Sequence, residues 1–234
     1  MMLDDGFVAL GAGISCDSDR PVVTSVNQCL LRGRVVEAPG ANFVWHEEVA
    51  YLFPAGQKFL LTHGAQTGRW SDIGVGSDKP VTEQVFSLWL DHGARPGGAA
   101  YAYVVMPGVS AEEAARRAKN SGVEVLSNNP TLQAVRVPKL GLVGVVFWSA
   151  GRVESGRQTV SVDQPCLLMA QRRGRRLRVS VANPLNEPAR VKVTVGRKVT
   201  GERAAQTASG KTVTFDLPGG PAAGSTVVRE FRID

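Results

Sequence analysis

Residues 81–107 carry the longest unbroken pattern in the chain. Phe86, Leu88 and Leu90 fall on one face of an extended segment, with Val85 and Trp89 on the other, because successive strand residues point to opposite sides. Two apolar faces predict a central strand covered on both sides. The next residues, Asp91, His92, Gly93, Ala94, Arg95, Pro96, Gly97 and Gly98, cannot extend a ladder and predict a tight, irregular turn. The chain then returns through residues 100–106 with Tyr101 and Tyr103 on one face, so the segment reads as two long strands joined by that turn.

The same reading extends in both directions. Residues 7–15 and 22–31 predict an antiparallel pair turned by Asp17, Ser18, Asp19, Arg20 and Pro21, and strands follow at 42–53 and 58–63. One helix is predicted: Ser110 and Glu113 fit a capping box, and AEEAARRAKN runs to a stop at Ser121-Gly122. Its polar composition marks a surface crossover. Short strands resume at 123–126, 132–137 and 142–148, and the polar segment 151–164 predicts a domain boundary. Beyond it Leu177, Val179 and Val181, then Val191, Val193 and Val195, then Val213, Phe215 and Leu217 alternate with polar residues, giving strands with one dry and one wet face. The expected fold class is all-β: a large antiparallel β-sandwich over residues 1–155 with one short helix, then a small antiparallel β-sandwich over 160–234.

Composition agrees with this picture and narrows it. A hydrophobic content of 43% in 234 residues is enough for a sizeable core, and 26 glycines with 13 prolines suit many short strands and turns. No run of about 18 apolar residues predicts a membrane span. The first residues lack the basic start of a signal peptide, and the chain begins almost inside a strand, so a piece of a longer gene product is expected. Cys16, Cys29 and Cys166 are odd in number and lack metal-ligand spacing, which predicts free thiols and no metal or other cofactor.

Candidate chemistry is sparse. His92 beside Asp91 has the composition of a general base, but adjacent residues on an extended chain point apart, favouring a loop-bonding role. His46, Glu47 and Glu48 form a charged cluster without the second histidine of a zinc motif, and His63 is isolated; a solvated strand end is expected. No nucleophile elbow or phosphate loop is present. Gly11 and Gly13 read as a bulge or a close backbone approach. Trp45 beside His46, and Trp70 beside Arg69, combine a stacking ring with a polar neighbour, the pairing that binds sugar rings. With a net charge of +6, the cluster Arg172, Arg173, Arg175, Arg176 and Arg178 favours polyanionic partners or a solvated hairpin turn. No recognition helix or stacking strand accompanies it, which argues against nucleic acid.

Three segments in order, DDGFVALGAGIS at 4–15, Gly68-Arg69-Trp70 after Tyr51-Leu52-Phe53-Pro54, and LWLDHGARPGGAAYAYVVMPG at 88–108, resemble the central sandwich of polysaccharide lyase family 8. These are the hyaluronate, chondroitin and xanthan lyases. The resemblance implies β-elimination on uronic-acid-containing polysaccharides outside the cytoplasm, secreted or periplasmic. It also implies that the catalytic side chains sit mainly in a helical toroid preceding the sandwich, so none is carried over onto this sequence. The expected role is scaffold and cleft wall for an anionic polysaccharide, with Trp45, His46, Arg69, Trp70, His92 and Tyr101 as candidate carbohydrate contacts. The partner would be that toroid, packed on the large sandwich. The alternative is a stand-alone carbohydrate-binding or structural module.

Overall fold

The computed structural model describes residues 1–37, 42–54, 57–156, 158–197 and 210–232. The chain divides into two compact units, Met1–Ser121 and Gly122–Asp234. The first contains β1 (Met2–Leu3), β2 (Gly6–Ser15), β3 (Pro21–Leu30), β4 (Val35–Val36), β5 (Phe43–His46), β6 (Val49–Leu52), β7 (Leu60–Gly68), β8 (Val81–Ala94), β9 (Gly97–Pro107) and α1 (Ala111–Lys119). The second contains β10 (Glu124–Asn129), β11 (Leu132–Val137), β12 (Leu142–Phe147), β13 (Gly151–Ser155), β14 (Gln158–Val162), β15 (Cys166–Arg173), β16 (Arg176–Ala182), β17 (Ala189–Arg197), β18 (Lys211–Leu217) and β19 (Val227–Arg232). The fold class is all-β, as the alternation predicted.

The first unit has a six-stranded sheet in the order β1-β2-β9-β6-β5-β4 and a three-stranded sheet in the order β3-β8-β7. Neither hairpin predicted there forms. β2 pairs with β9 and β3 with β8, from Phe7↔Val105 to Ser15↔Gly97 and from Pro21↔Ala94 to Leu30↔Val85. Two long strands thus leave one sheet and enter the other side by side. The corner is bonded throughout, with the Cys16 amide donating to the Pro96 carbonyl and the Arg95 amide to the Ser18 carbonyl, both at 3.1 Å. Left-handed backbone at Gly13 (φ 74°), Gly93 (φ 76°) and Arg95 (φ 49°) bends the ribbon, so strands adjacent in sequence face each other across a core. Phe86, Leu88 and Leu90 are fully buried there with Val44, Tyr51, Phe53 and Val105.

Residues expected as one strand at 42–53 form the hairpin β5–β6. Its turn places Glu47 and Glu48 at φ 50° and 63°, the backbone whose twist matches paired strands. α1 starts where the capping pattern put it: the Ser110 hydroxyl accepts from the Glu113 amide at 3.2 Å, and Ala111 and Ala114 are buried. The Glu113 carboxylate pairs forward with Arg116 and Arg117 instead of closing the box.

The second unit has sheets ordered β10-β11-β12-β15-β16-β19 and β13-β14-β17-β18. The expected boundary between 155 and 160 therefore lies inside it. β12 pairs with β15 from Leu142↔Gln171 to Phe147↔Cys166, which ties the strands after Gly122 to the C-terminal ones. The segment that looked unpatterned is the hairpin β13–β14, whose Val153, Val160 and Val162 join the core while Arg152 and Glu154 face out. The two units are nearly equal in length, in place of a large and a small sandwich. The clean alternation of the C-terminal strands is realised: Leu177, Val179, Val181, Val191, Val193, Phe215 and Leu217 are all 4% exposed or less. Among the described residues no helix is long and apolar enough to cross a membrane.

Candidate carbohydrate-contact site

On the inner face of β8 the apolar series Phe86, Leu88, Leu90 ends at His92, half-buried at the rim of the first core. Its Nε2 lies 2.8 Å from the Thr24 hydroxyl oxygen on β3, and its ring is 6.2 Å from Tyr101 on β9. Tyr101 in turn stacks on Tyr103 at 5.8 Å. The Tyr101 ring fits only because Gly11 opposite has no side chain, since a Cβ there would stand 2.2 Å from its Cε1. The close approach expected at Gly11 is thus made against an aromatic ring, and β2 is bulged between Gly11 and Ile14. Burial and the neighbouring Tyr101 push the Tyr103 hydroxyl's pKa upward. Asp91 does not orient His92: its Oδ1 accepts from the Gly93 amide at 2.8 Å, closing the turn.

The remaining predicted contacts lie apart from this cluster. Trp70 is 61% exposed in a short 3-10 turn, Trp70–Asp72, between β7 and β8, with Arg69 exposed beside it. Trp45 is half-buried on β5. Its indole N–H donates to the Val109 carbonyl at 2.7 Å, and the Arg34 guanidinium lies 5.5 Å from its ring centre.

His46 is no surface contact and no solvated strand end. It is 2% exposed and stacks on Phe86 with ring centres 4.5 Å apart at 9°. Its Nε2 lies 3.0 Å from the Arg32 carbonyl oxygen and its Nδ1 3.8 Å from Cys29 Sγ. Alternation along β5 places Trp45 and His46 on opposite faces, so one of the pair had to turn inward.

The second face of β8, expected to be covered, is open around Trp89 among the described residues. The outer face of the three-stranded sheet holds an open trough of about 360 Å³ floored by Trp89 and Ser87 and lined by Ser25, Gln28, Thr62 and Gln66. Ser25 and Leu60 flank Trp89 in register. The signal was present in the alternation of β8, which sets Ser87 and Trp89 opposite the buried phenylalanine and leucines. An indole edged by hydroxyls and amides is suited to a sugar ring, which offers an apolar face and a rim of hydroxyls. Among the described residues no group of three or more His, Cys, Asp or Glu side chains is arranged to hold a metal ion. The three cysteines are free thiols; Cys166 is buried, while Cys16 and Cys29 are partly exposed.

Comparison with known proteins assigns this architecture to a class. Residues 1–118 match the model described as polysaccharide lyase family 8, super-sandwich domain, and residues 124–192 match the C-terminal beta-sandwich domain of the same family. Each match falls inside one of the two compact units, and together they define the β-sandwich architecture of a polysaccharide lyase. The chain belongs to polysaccharide lyase family 8. It is 30% identical to chondroitinase-AC of Pedobacter heparinus over 96% of this chain and 33% of that protein. It is 34% identical to hyaluronate lyase of Thermasporomyces composti over 84% of this chain and 28% of that protein. Among solved structures, a chondroitinase AC lyase superposes with a TM-score of 0.85 at 29% identity, covering 97% of this chain and 35% of that one. The Streptomyces coelicolor chondroitin AC lyase in complex with chondroitin sulphate gives 0.79 at 32% identity, over 99% of this chain and 32% of that one. The chain thus spans about a third of the length of these relatives.

Proposed function

We propose that this chain is the scaffold and cleft wall of a lyase that cleaves uronic-acid-containing polysaccharides by β-elimination. The observation that carries the reading is the pair of family matches, super-sandwich then C-terminal sandwich, consecutive over most of the chain. In β-elimination a base removes the proton α to the uronate carboxylate, the developing charge is neutralised, and the glycosidic oxygen leaves. The residues here are better suited to holding the polymer than to that proton transfer. His92 is held at 2.8 Å by the Thr24 hydroxyl, and its neighbouring carboxylate is turned into the loop, accepting from the Gly93 amide. The base is supplied by a helical domain packed on the sandwich. Arg69, Trp70, His92, Tyr101 and the outer face of Trp45 are the wall's sugar contacts, and His46 is excluded. The protein works outside the cytoplasm, where such polymers are met.

A second reading, a stand-alone carbohydrate-binding module, is favoured by the Trp89 trough, which offers a sugar platform independent of any catalytic partner. Affinity electrophoresis of the purified chain in gels containing chondroitin sulfate, hyaluronan, xanthan or neutral dextran tests the two together. Retardation by the anionic polymers and not by dextran supports the lyase wall. Retardation by dextran that is lost in Trp89→Ala supports the module, and no retardation in any gel refutes both.

A further inference from the structure

Several arginines of the second unit face a carboxylate across neighbouring strands. Arg136 faces Glu124, Arg178 faces Glu230 and Arg190 faces Asp216 across neighbouring strands, with nitrogen to oxygen distances of 3.4, 3.8 and 3.3 Å. At the end of the six-stranded sheet arginine instead faces arginine, twice in one row. Arg173 on β15 faces Arg176 on β16, and Arg176 faces Arg232 on β19. All three are exposed, and among the described residues none has a carboxylate partner. Directly opposed residues share a sheet face, and like charges so placed destabilise the ladder.

Adjacent strands lie about 4.8 Å apart, so the row spreads three guanidinium groups across about 10 Å of one surface. Arg175 in the connecting turn is also exposed and adds to the field, whereas Arg172 on β15 pairs with Leu177 on the opposite face, and its Nε–H donates to the Gly174 carbonyl at 3.0 Å. A bound anion relieves that repulsion. Guanidinium forks match planar or tetrahedral oxyanions in bidentate fashion.

We propose that the Arg173–Arg176–Arg232 row is a polyanion-binding site that anchors a carboxylated or sulfated polysaccharide on the second unit. The proposal rests on the lyase-wall reading and extends it to the second unit. A glycan is favoured over single-stranded nucleic acid because no aromatic side chain shares the row: Phe231 and Leu177 pair on the opposite face. Single-stranded nucleic acid binding relies on stacking beside its charges.

The test measures binding of chondroitin sulfate to the full chain across a salt series, with a DNA duplex as competing probe. Three proteins are compared: the wild type, the triple variant R173Q/R176Q/R232Q, and a charge-matched control, R136Q/R152Q/R190Q. The row predicts that the first variant binds about tenfold or more weakly at low salt with a shallower salt dependence. Its thermal midpoint should be equal or higher because the opposed charges are gone. The control should keep near wild-type affinity. Equal weakening in both variants would reduce the effect to net charge and overturn the site, as would unchanged binding by the row variant. Tighter binding of the duplex than of chondroitin sulfate would overturn the choice of ligand. Failure of the wild type to bind chondroitin sulfate, hyaluronan or xanthan would instead defeat the lyase-wall reading beneath it.

Discussion

His46 stacks flat on Phe86 inside the first core, with its Nε2 at hydrogen-bond distance from the Arg32 carbonyl. Truncation to alanine removes the stacked ring and leaves polar backbone unpaired, so His46→Ala should lower unfolding free energy by about 3 kcal/mol in a urea titration. Its retention in a chondroitin sulfate gel, per folded molecule, should not change; selective loss of retention would restore it as a ligand contact. Cys166 is fully buried, and burial with the nearby Asp163 raises its thiol pKa to about 12 from an ordinary value of 9.0. Between those values the unfolded chain releases a proton that the folded chain keeps, so stability is fully present below the lower value and falls as pH rises through the window. Tyr51 and Tyr103, raised by burial from 10.0, act in the same direction. The urea midpoint should therefore drop between about pH 8 and about pH 11, and Cys166→Ala, though less stable at the start, should drop less. A midpoint flat over that range would show that these groups titrate normally when folded. At this scale the sequence showed which residues were unusual but not which way they pointed. The charged Glu47-Glu48 turn made His46 look solvated, and only the register of the hairpin turns it inward.

At the scale of elements the deciding feature is the corner where β2–β3 and β8–β9 pass together from one sheet to the other. Its tolerance of bulk is low. Gly11→Ala would drive a methyl into the Tyr101 ring, and overpacking of this kind should destabilise by about 1–3 kcal/mol, read by thermal or urea unfolding. A neutral outcome would mean that the ring moves aside freely. The helix cap is more local: Ser110→Ala removes the acceptor of the Glu113 amide and should cost about 1 kcal/mol. Strand positions and the helix start were legible because alternation and capping are local signals. Pairing was not. Alternation reports which face a residue occupies, and a turn rich in glycine permits either a hairpin or a fold-over. The choice in residues 81–107 is made by β2 and β3, distant in sequence, which supply the partners.

At the scale of the molecule the division at Ser121 and Gly122 gives two units, each with its own core and each within ordinary domain size. The boundary escaped the sequence because β13 and β14 carry polar residues on their outer faces and a short apolar pattern, while β10 to β12 are joined to the C-terminal strands only through the pairing of β12 with β15. The family motifs, in contrast, were legible, since they combine chemistry with order along the chain. What remains to be measured is whether these units perform the elimination or only hold its substrate. The direct measurement is ultraviolet absorbance of the unsaturated uronate product when the purified chain is incubated with chondroitin sulfate, hyaluronan and xanthan at a concentration that saturates gel retention. A scaffold and cleft wall predicts bound polymer and a flat absorbance trace. A sustained rise that is lost in His92→Ala or Tyr101→Phe would contradict it, and would place the proton transfer at the sandwich rim itself.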